Sequence, residues 1–140
     1  MTLLDAYGLV ALMADEACAG EVEDLMRGGA SIASVNLAEV VDRMARLHDV
    51  DVRDDLDWLT STGLGVVPLD AGLAVRAGEL RGMRYHHRSA AVSMADCIAA
   101  VTALHLGVPL ATSDPALAAM VVAEGGSVVA LPDSRGVRPE

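Results

Sequence analysis

Asp5, Glu39, Asp96 and Asp114 are four acids that each stand alone against an apolar segment, in LLDAYGLVAL, SVNLAEVV, ADCIAAV and LATSDPALAAM. Singly, each reads as a helix cap. Glu39 follows Asn36, and Asp96 follows Ser93, at the spacing of a capping box. Asp114 precedes Pro115, an N-cap acid with proline at the first helical position, and Asp5 stands where a helix would follow the first apolar run. Together the four suit a different chemistry. Two carboxylates ~5 Å apart repel by roughly 3 kcal/mol at an effective dielectric near 20. Several such pairs would rival the ~5–15 kcal/mol stability of a domain. A cluster of the four must therefore take up protons or hold a cation, and all-oxygen ligation favours Mg²⁺ or Mn²⁺ over zinc. One or two such ions activate water and stabilise charge developing on a phosphate, which is the equipment of phosphodiester hydrolysis.

Whether the four meet depends on the elements that carry them. Met1 to Asp5 is a short strand candidate ending in an acid, and Gly8 to Ala14 and Glu21 to Arg27 have helical composition, stopped by Gly28-Gly29. Ser31 to Val35 is a second strand candidate. Leu37, Val40, Val41, Met44 and Leu47 then recur as one apolar helical face. Asp54 to Thr62 is helical, Val66 to Leu69 a third strand, and a helix follows from about Ala71 to Met83. Another helix runs from Ser93 to Leu106 and stops at Gly107. Pro109 to Thr112 is a fourth strand, Asp114-Pro115 opens a helix that Gly125-Gly126 closes, and Val128 to Leu131 is a fifth strand. This alternation predicts a three-layer α/β/α sandwich around a parallel sheet of about five strands, as one domain over residues 1–131 with a polar tail at 132–140. In a parallel sheet the strand ends and the starts of the following helices share one edge, where such folds bind ligands. All four acids are expected there, Glu39 and Asp96 in first helical turns. Ala99, Ala100 and Ala103 leave a small-residue stripe on the Asp96 helix that permits close approach.

At 140 residues the chain is one domain of ordinary size, with 53% apolar residues, no Phe and one Trp. No stretch reaches the ~18 uninterrupted apolar residues of a membrane span, and the N-terminus lacks the positive region of a secretory signal. Cys18 and Cys97 make neither a metal spacing nor a disulfide framework. The expected location is the cytoplasm. The net charge of -10 disfavours non-specific binding to polyanions.

In their order along the chain, LLDAYGLVALM, the Glu of SVNLAEVVDRM and SMADCIAAVTALHLGVPLATSDPAL resemble a PIN domain. More narrowly the chain is similar to the VapC-type toxins of bacterial toxin–antitoxin pairs, from Leu3 to about Leu131. The combination is specific: an acid after the first strand, E-V on the next helix, D-x-I-A-A, then T-x-D about eighteen residues later. The resemblance implies an endoribonuclease dependent on Mg²⁺ or Mn²⁺, with Asp5, Glu39, Asp96 and Asp114 as catalytic metal ligands, directly or through water. It implies a bracing role for the hydroxyl of Thr112. It also implies an RNA substrate, a small cognate antitoxin that holds the toxin inactive, and a homodimer, with apolar seams on the first two helices serving these partners or the core. One departure stands out. Many relatives carry a further acid two positions after the last aspartate, where this chain has Ala116, which weakens the case for a second tightly held metal.

The remaining features are placed around that reading. RAGELRGMRYHHRS carries Arg76, Arg81, Arg84 and Arg88 with one acid; it is either a solvated helix end or the phosphate-binding surface that an otherwise acidic protein needs to hold RNA. Tyr85 could then stack on a base. His86-His87 reads as exposed loop, and Cys97 as a small core residue. DVDVRDDLD has Arg53 at the fifth position and no Gly at the sixth, so it is not an EF-hand loop. A phosphorelay receiver requires a Lys and a haloacid-dehalogenase-type phosphatase a D-x-D after its first strand; the chain has no Lys, and Asp5 is followed by Ala6-Tyr7. The serious rival is a degenerate PIN-like module that binds a partner protein or RNA without cutting.

Overall fold

The first strand, β1 (Thr2–Leu4), is buried along its whole length, which marks it as the centre of a sheet rather than an edge. The computed structural model, covering residues 1–140, places it there. Four further strands flank it: β2 (Ala30–Ala33), β3 (Gly65–Val67), β4 (Leu110–Thr112) and β5 (Val128–Ala130). They lie in the order β3-β2-β1-β4-β5, and every pairing is parallel. The chain thus winds outward from β1 on one side and then returns to wind outward on the other. The reversal falls between β1 and β4, and a ligand crevice forms at such a switch point.

Seven helices cover the sheet: α1 (Ala6–Met13), α2 (Ala19–Arg27), α3 (Ser34–His48), α4 (Arg53–Ser61), α5 (Ala71–Arg84), α6 (Met94–Leu106) and α7 (Pro115–Ala123). Alternation along the strands sends side chains to the two faces. Leu3 and Leu110, which are register partners, join a buried cluster with α5, α6 and α7. Leu4, Ile32 and Ala111 point the other way, into a cluster with α1, α2, α3 and α4. The expected α/β/α sandwich of five parallel strands is the observed one. Ala99, Ala100 and Ala103 are buried, so small side chains bring α6 close to the sheet.

Three of the four acids cap helices as the spacing predicts. The Asp5 carboxylate accepts from the Gly8 N–H at 3.0 Å. Ser93 and Asp96 form a complete capping box, with bonds of 3.0 and 2.9 Å. Asp114 accepts from the Ala116 and Leu117 N–H groups at 2.8 and 3.3 Å, with Pro115 at the first helical position.

The fourth differs. The strand expected over Ser31 to Val35 ends at Ala33, and α3 begins at Ser34 with Ala33 as its cap. Asn36 therefore lies inside the helix and caps nothing, and Glu39 stands in the second turn rather than the first. Apolar Val35 extends the apparent strand, but the backbone turns helical one residue before it. The apolar face of α3 is also only half used: Val40 and Met44 are buried, whereas Val41 and Leu47 are exposed. At the far end the last residues fold back. Tyr7 donates to the Pro132 carbonyl at 3.0 Å, and Arg138 bonds both Glu21 carboxylate oxygens and the Ala130 carbonyl.

Candidate functional site

β1 and β4 deliver the two acids nearest the switch point. Asp5 directly follows β1 and is almost wholly buried, at 6% exposure. Burial lifts its carboxyl from the ordinary 3.8 to about 6, and the negative charge of Asp96 pushes the same way; the Thr112 hydroxyl, the Gly8 N–H and the Arg43 charge oppose the rise. Asp5 is thus a carboxylate held in a place that disfavours its charge, beside a second acid.

The other members are tied to this pair through single residues. Thr112, at the end of β4, is fully buried. Its hydroxyl accepts from the Asp114 N–H at 3.0 Å and also favours the charge of Asp5, so one side chain adjoins the segments after β1 and β4. Asn36, also buried, donates from Nδ2 to Glu39 Oε2 at 3.1 Å and to the Ala95 carbonyl at 3.3 Å. Ala95 immediately precedes Asp96, so Asn36 links Glu39 on α3 to the start of α6. Arg43, one turn beyond Glu39, approaches it at 3.9 Å.

The structure therefore brings Asp5 and Asp96 into electrostatic contact and connects Glu39 and Asp114 to them by one-residue bridges. It does not close three of these carboxylates into a ready-made metal cage. Asp96 and Asp114 are occupied with helix N–H groups, and mutual repulsion opposes any tighter approach. The donor set is all oxygen: four carboxylates, the Thr112 hydroxyl and the Asn36 amide. Asn36 Oδ1 is buried and has no hydrogen-bond partner. An orphaned oxygen and a charge-strained carboxylate on one sheet edge fit a hard divalent cation.

The family model for the PIN domain matches residues 2–122, most of the chain. The chain belongs to the PIN domain family. Among solved structures, this PIN domain is similar to VapC20 of Mycobacterium tuberculosis, a toxin that cleaves the sarcin–ricin loop. The TM-score is 0.70 at 19% identity, over 99% of this chain and 100% of that one. VapBC2 of Rickettsia felis bound to a promoter DNA fragment matches with TM-score 0.65 and 18% identity, over 91% and 96% of the two chains. FitAcB of Neisseria gonorrhoeae gives the same figures. At these identities the likeness is one of fold. No curated protein matches by sequence.

The arginines of the PIN domain divide. Arg81 donates to the Val92 carbonyl at 3.1 Å and stacks over the Tyr85 ring at 4.4 Å. Arg84 pairs with Glu124 at 2.6 Å. Both therefore pin the end of α5 to its neighbours, and Arg81 holds the segment leading into Ser93 and Asp96. Arg76 and Arg88 are exposed and make no side-chain hydrogen bond or ion pair. His86 and His87 stack on each other in the exposed loop, as expected. Cys97 is buried, its thiol pushed up to about 11 by desolvation and then by the Asp96 charge, which leaves an inert core group. Asn36, which the sequence marked only as a capping partner for Glu39, joins the site as a link, and Arg43 joins it without having stood out in the sequence. Their signals are the Asn36–Glu39 and Glu39–Arg43 spacings, which on a helix mark neighbours on one face.

An apolar groove lies elsewhere. α1, α2 and α4 enclose about 570 Å³ lined by Leu12, Met13, Met26, Trp58 and Leu59, with Glu23, Arg27 and Asp55 also at its walls. None of the four acids lines it. No helix is long and apolar enough to cross a membrane.

Proposed function

We propose that this PIN domain is an endoribonuclease toxin dependent on Mg²⁺ or Mn²⁺, restrained by a cognate antitoxin in the cytoplasm. The observation that carries the proposal is Asp5: a buried carboxylate at the switch point, within reach of the Asp96 charge, with Thr112 and Asn36 tying Asp114 and Glu39 to the same edge. Asp5, Glu39, Asp96 and Asp114 would hold the ion, directly or through water, and Asn36 Oδ1 is a further oxygen on the same edge. When bound, the cation supplies an activated water and charge stabilisation at the scissile phosphate. The chain's own part is positional. Thr112 keeps Asp5 and Asp114 in fixed relation, and the amino ends of α6 and α7 turn their partial positive charge toward that edge. Exposed Arg76 and Arg88 are free to contact the RNA backbone, while Arg81 and Arg84 shape the surface that presents them.

The groove between α1, α2 and α4 is the proposed seat of the antitoxin. Its floor is apolar, and Trp58 is 64% exposed there, a large aromatic left in water unless a partner covers it. The groove carries Glu23 and Asp55, and Asp54 and Asp57 extend the negative surface of α4, so a segment with apolar anchors flanked by basic residues fits it. Val41, Leu47 and Val50, exposed on α3 and just beyond it, would suit a second copy in a homodimer.

The test is incubation of the protein with a mixed structured RNA pool in Mg²⁺, in Mn²⁺ and in EDTA, beside Asp96→Asn. Cleavage at discrete sites that needs metal and disappears in the variant supports the nuclease. Absence of cleavage, together with a melting temperature indifferent to both metals, refutes it in favour of a module that binds without cutting.

A further inference from the structure

Asn36 is only 1% exposed, and its amide orientation is decided by its partners. Glu39 Oε2 and the Ala95 carbonyl, at 3.1 and 3.3 Å, are both acceptors, so the group facing them is the NH₂. A flipped amide would set oxygen against oxygen twice. Both Nδ2 protons are therefore committed, and Oδ1 points away from both bonds with no donor of its own. A buried acceptor without a partner costs folding free energy that an apolar side chain of similar size would not. The contacts to Glu39 and Ala95 join elements 59 residues apart in sequence, which a simple core residue does not need to do.

We infer that Asn36 is a positioning residue for the cation: Nδ2 sets Glu39 at a fixed distance from the start of α6, and Oδ1 accepts from a water in the cation's hydration shell. This rests on the metal-dependent reading above. Mg²⁺ keeps several of its waters when protein-bound, and those waters are donors. A standing acceptor on the residue that holds Glu39 orders one of them, so the residue that costs stability in the free protein contributes in the loaded one. Removing such outer partners weakens metal binding by about 10–100-fold in other sites.

The experiment compares wild type, Asn36→Leu and Asn36→Ala by calorimetric titration with Mn²⁺ and by thermal melts in EDTA. The expected result is a Kd raised about 10–100-fold in both variants, with Asn36→Leu melting in EDTA no lower than wild type. In a Glu39→Gln background the same substitution should raise Kd by a smaller factor, because part of its action runs through Glu39. A variant Kd within about twofold of wild type overturns the inference, whatever the melts show, since a purely structural role leaves the affinity of folded protein unmoved. Wild-type protein that takes up no Mn²⁺ overturns the metal reading itself, and this inference with it.

Discussion

Replacing Asp5 by Asn should make the metal-free protein more stable. The Asp5 carboxyl is raised from 3.8 to about 6, mainly by desolvation. Its contribution therefore runs opposite to that of a salt-bridged acid. Between those two values the native state keeps a proton that the unfolded chain has released, so stability falls as pH rises through this window and stays lowered above it. At ~1.4 kcal/mol per pH unit, the raised carboxyl subtracts roughly 3 kcal/mol from the fold above about pH 7 and roughly 1.6 kcal/mol at about pH 5. Asparagine has the same shape, carries no charge, and retains an oxygen to accept from the Gly8 N–H. Urea denaturation in EDTA from about pH 5 to about pH 8 should show Asp5→Asn more stable, by about 1–3 kcal/mol at the alkaline end. The gap should narrow by about 1.4 kcal/mol toward pH 5. Saturating Mn²⁺ should reverse the order, because a cation rewards the charge that burial penalises and stabilises only the form that binds it. A variant less stable than wild type at every pH, by a constant margin, would refute the buried-charge reasoning.

Three further outcomes are expected. Asp96→Asn should abolish the rise in melting temperature that Mg²⁺ or Mn²⁺ gives the wild type; a rise that survives it would count against the carboxylate edge as the binding place. Arg76→Ala with Arg88→Ala should weaken binding to single-stranded RNA and lower the slope of log affinity against log salt by about 0.7 for each phosphate no longer neutralised, read from fluorescence titrations at several salt concentrations. An unchanged slope would assign these arginines to solvent. Gly126→Ala should destabilise by about 1–3 kcal/mol in chemical denaturation, because its Cβ would come within 2.8 Å of Leu104 Cδ2 and Val121 Cγ1 and 3.2 Å from the Val121 carbonyl. A neutral effect would mean that α6 and α7 yield there at no cost.

Sequence reading reached furthest where the controlling contacts are local. Asp5, Ser93 with Asp96, and Asp114 with Pro115 all cap helices within three residues of themselves, and Gly107 ends α6 with a left-handed φ of 66°. Such features depend on a few adjacent side chains. The parallel sandwich was legible for a related reason, since alternating strands and helices of these lengths leave few other ways to bury both faces of a sheet. The start of α3 was misplaced because Val35 suits a strand or a helix equally by apolarity, and only the backbone turn at Ser34 decides.

The sequence by itself determined the four acids, their oxygen chemistry, three of the four caps and the layer order. Tertiary structure alone decided which of those groups share an environment. Asp5 becomes a strained carboxylate only because β1 lies at the centre of the sheet, between β2 and β4. Asn36 becomes a link to α6 because Ala95 is brought to it across 59 residues. Arg84 is drawn to Glu124 across 40, and α1, α2 and α4 leave Trp58 exposed beside an apolar groove. Capping bonds follow from backbone geometry a few residues long. Desolvation and long-range pairing depend on every element packed around a group, so they exist only once the chain has folded.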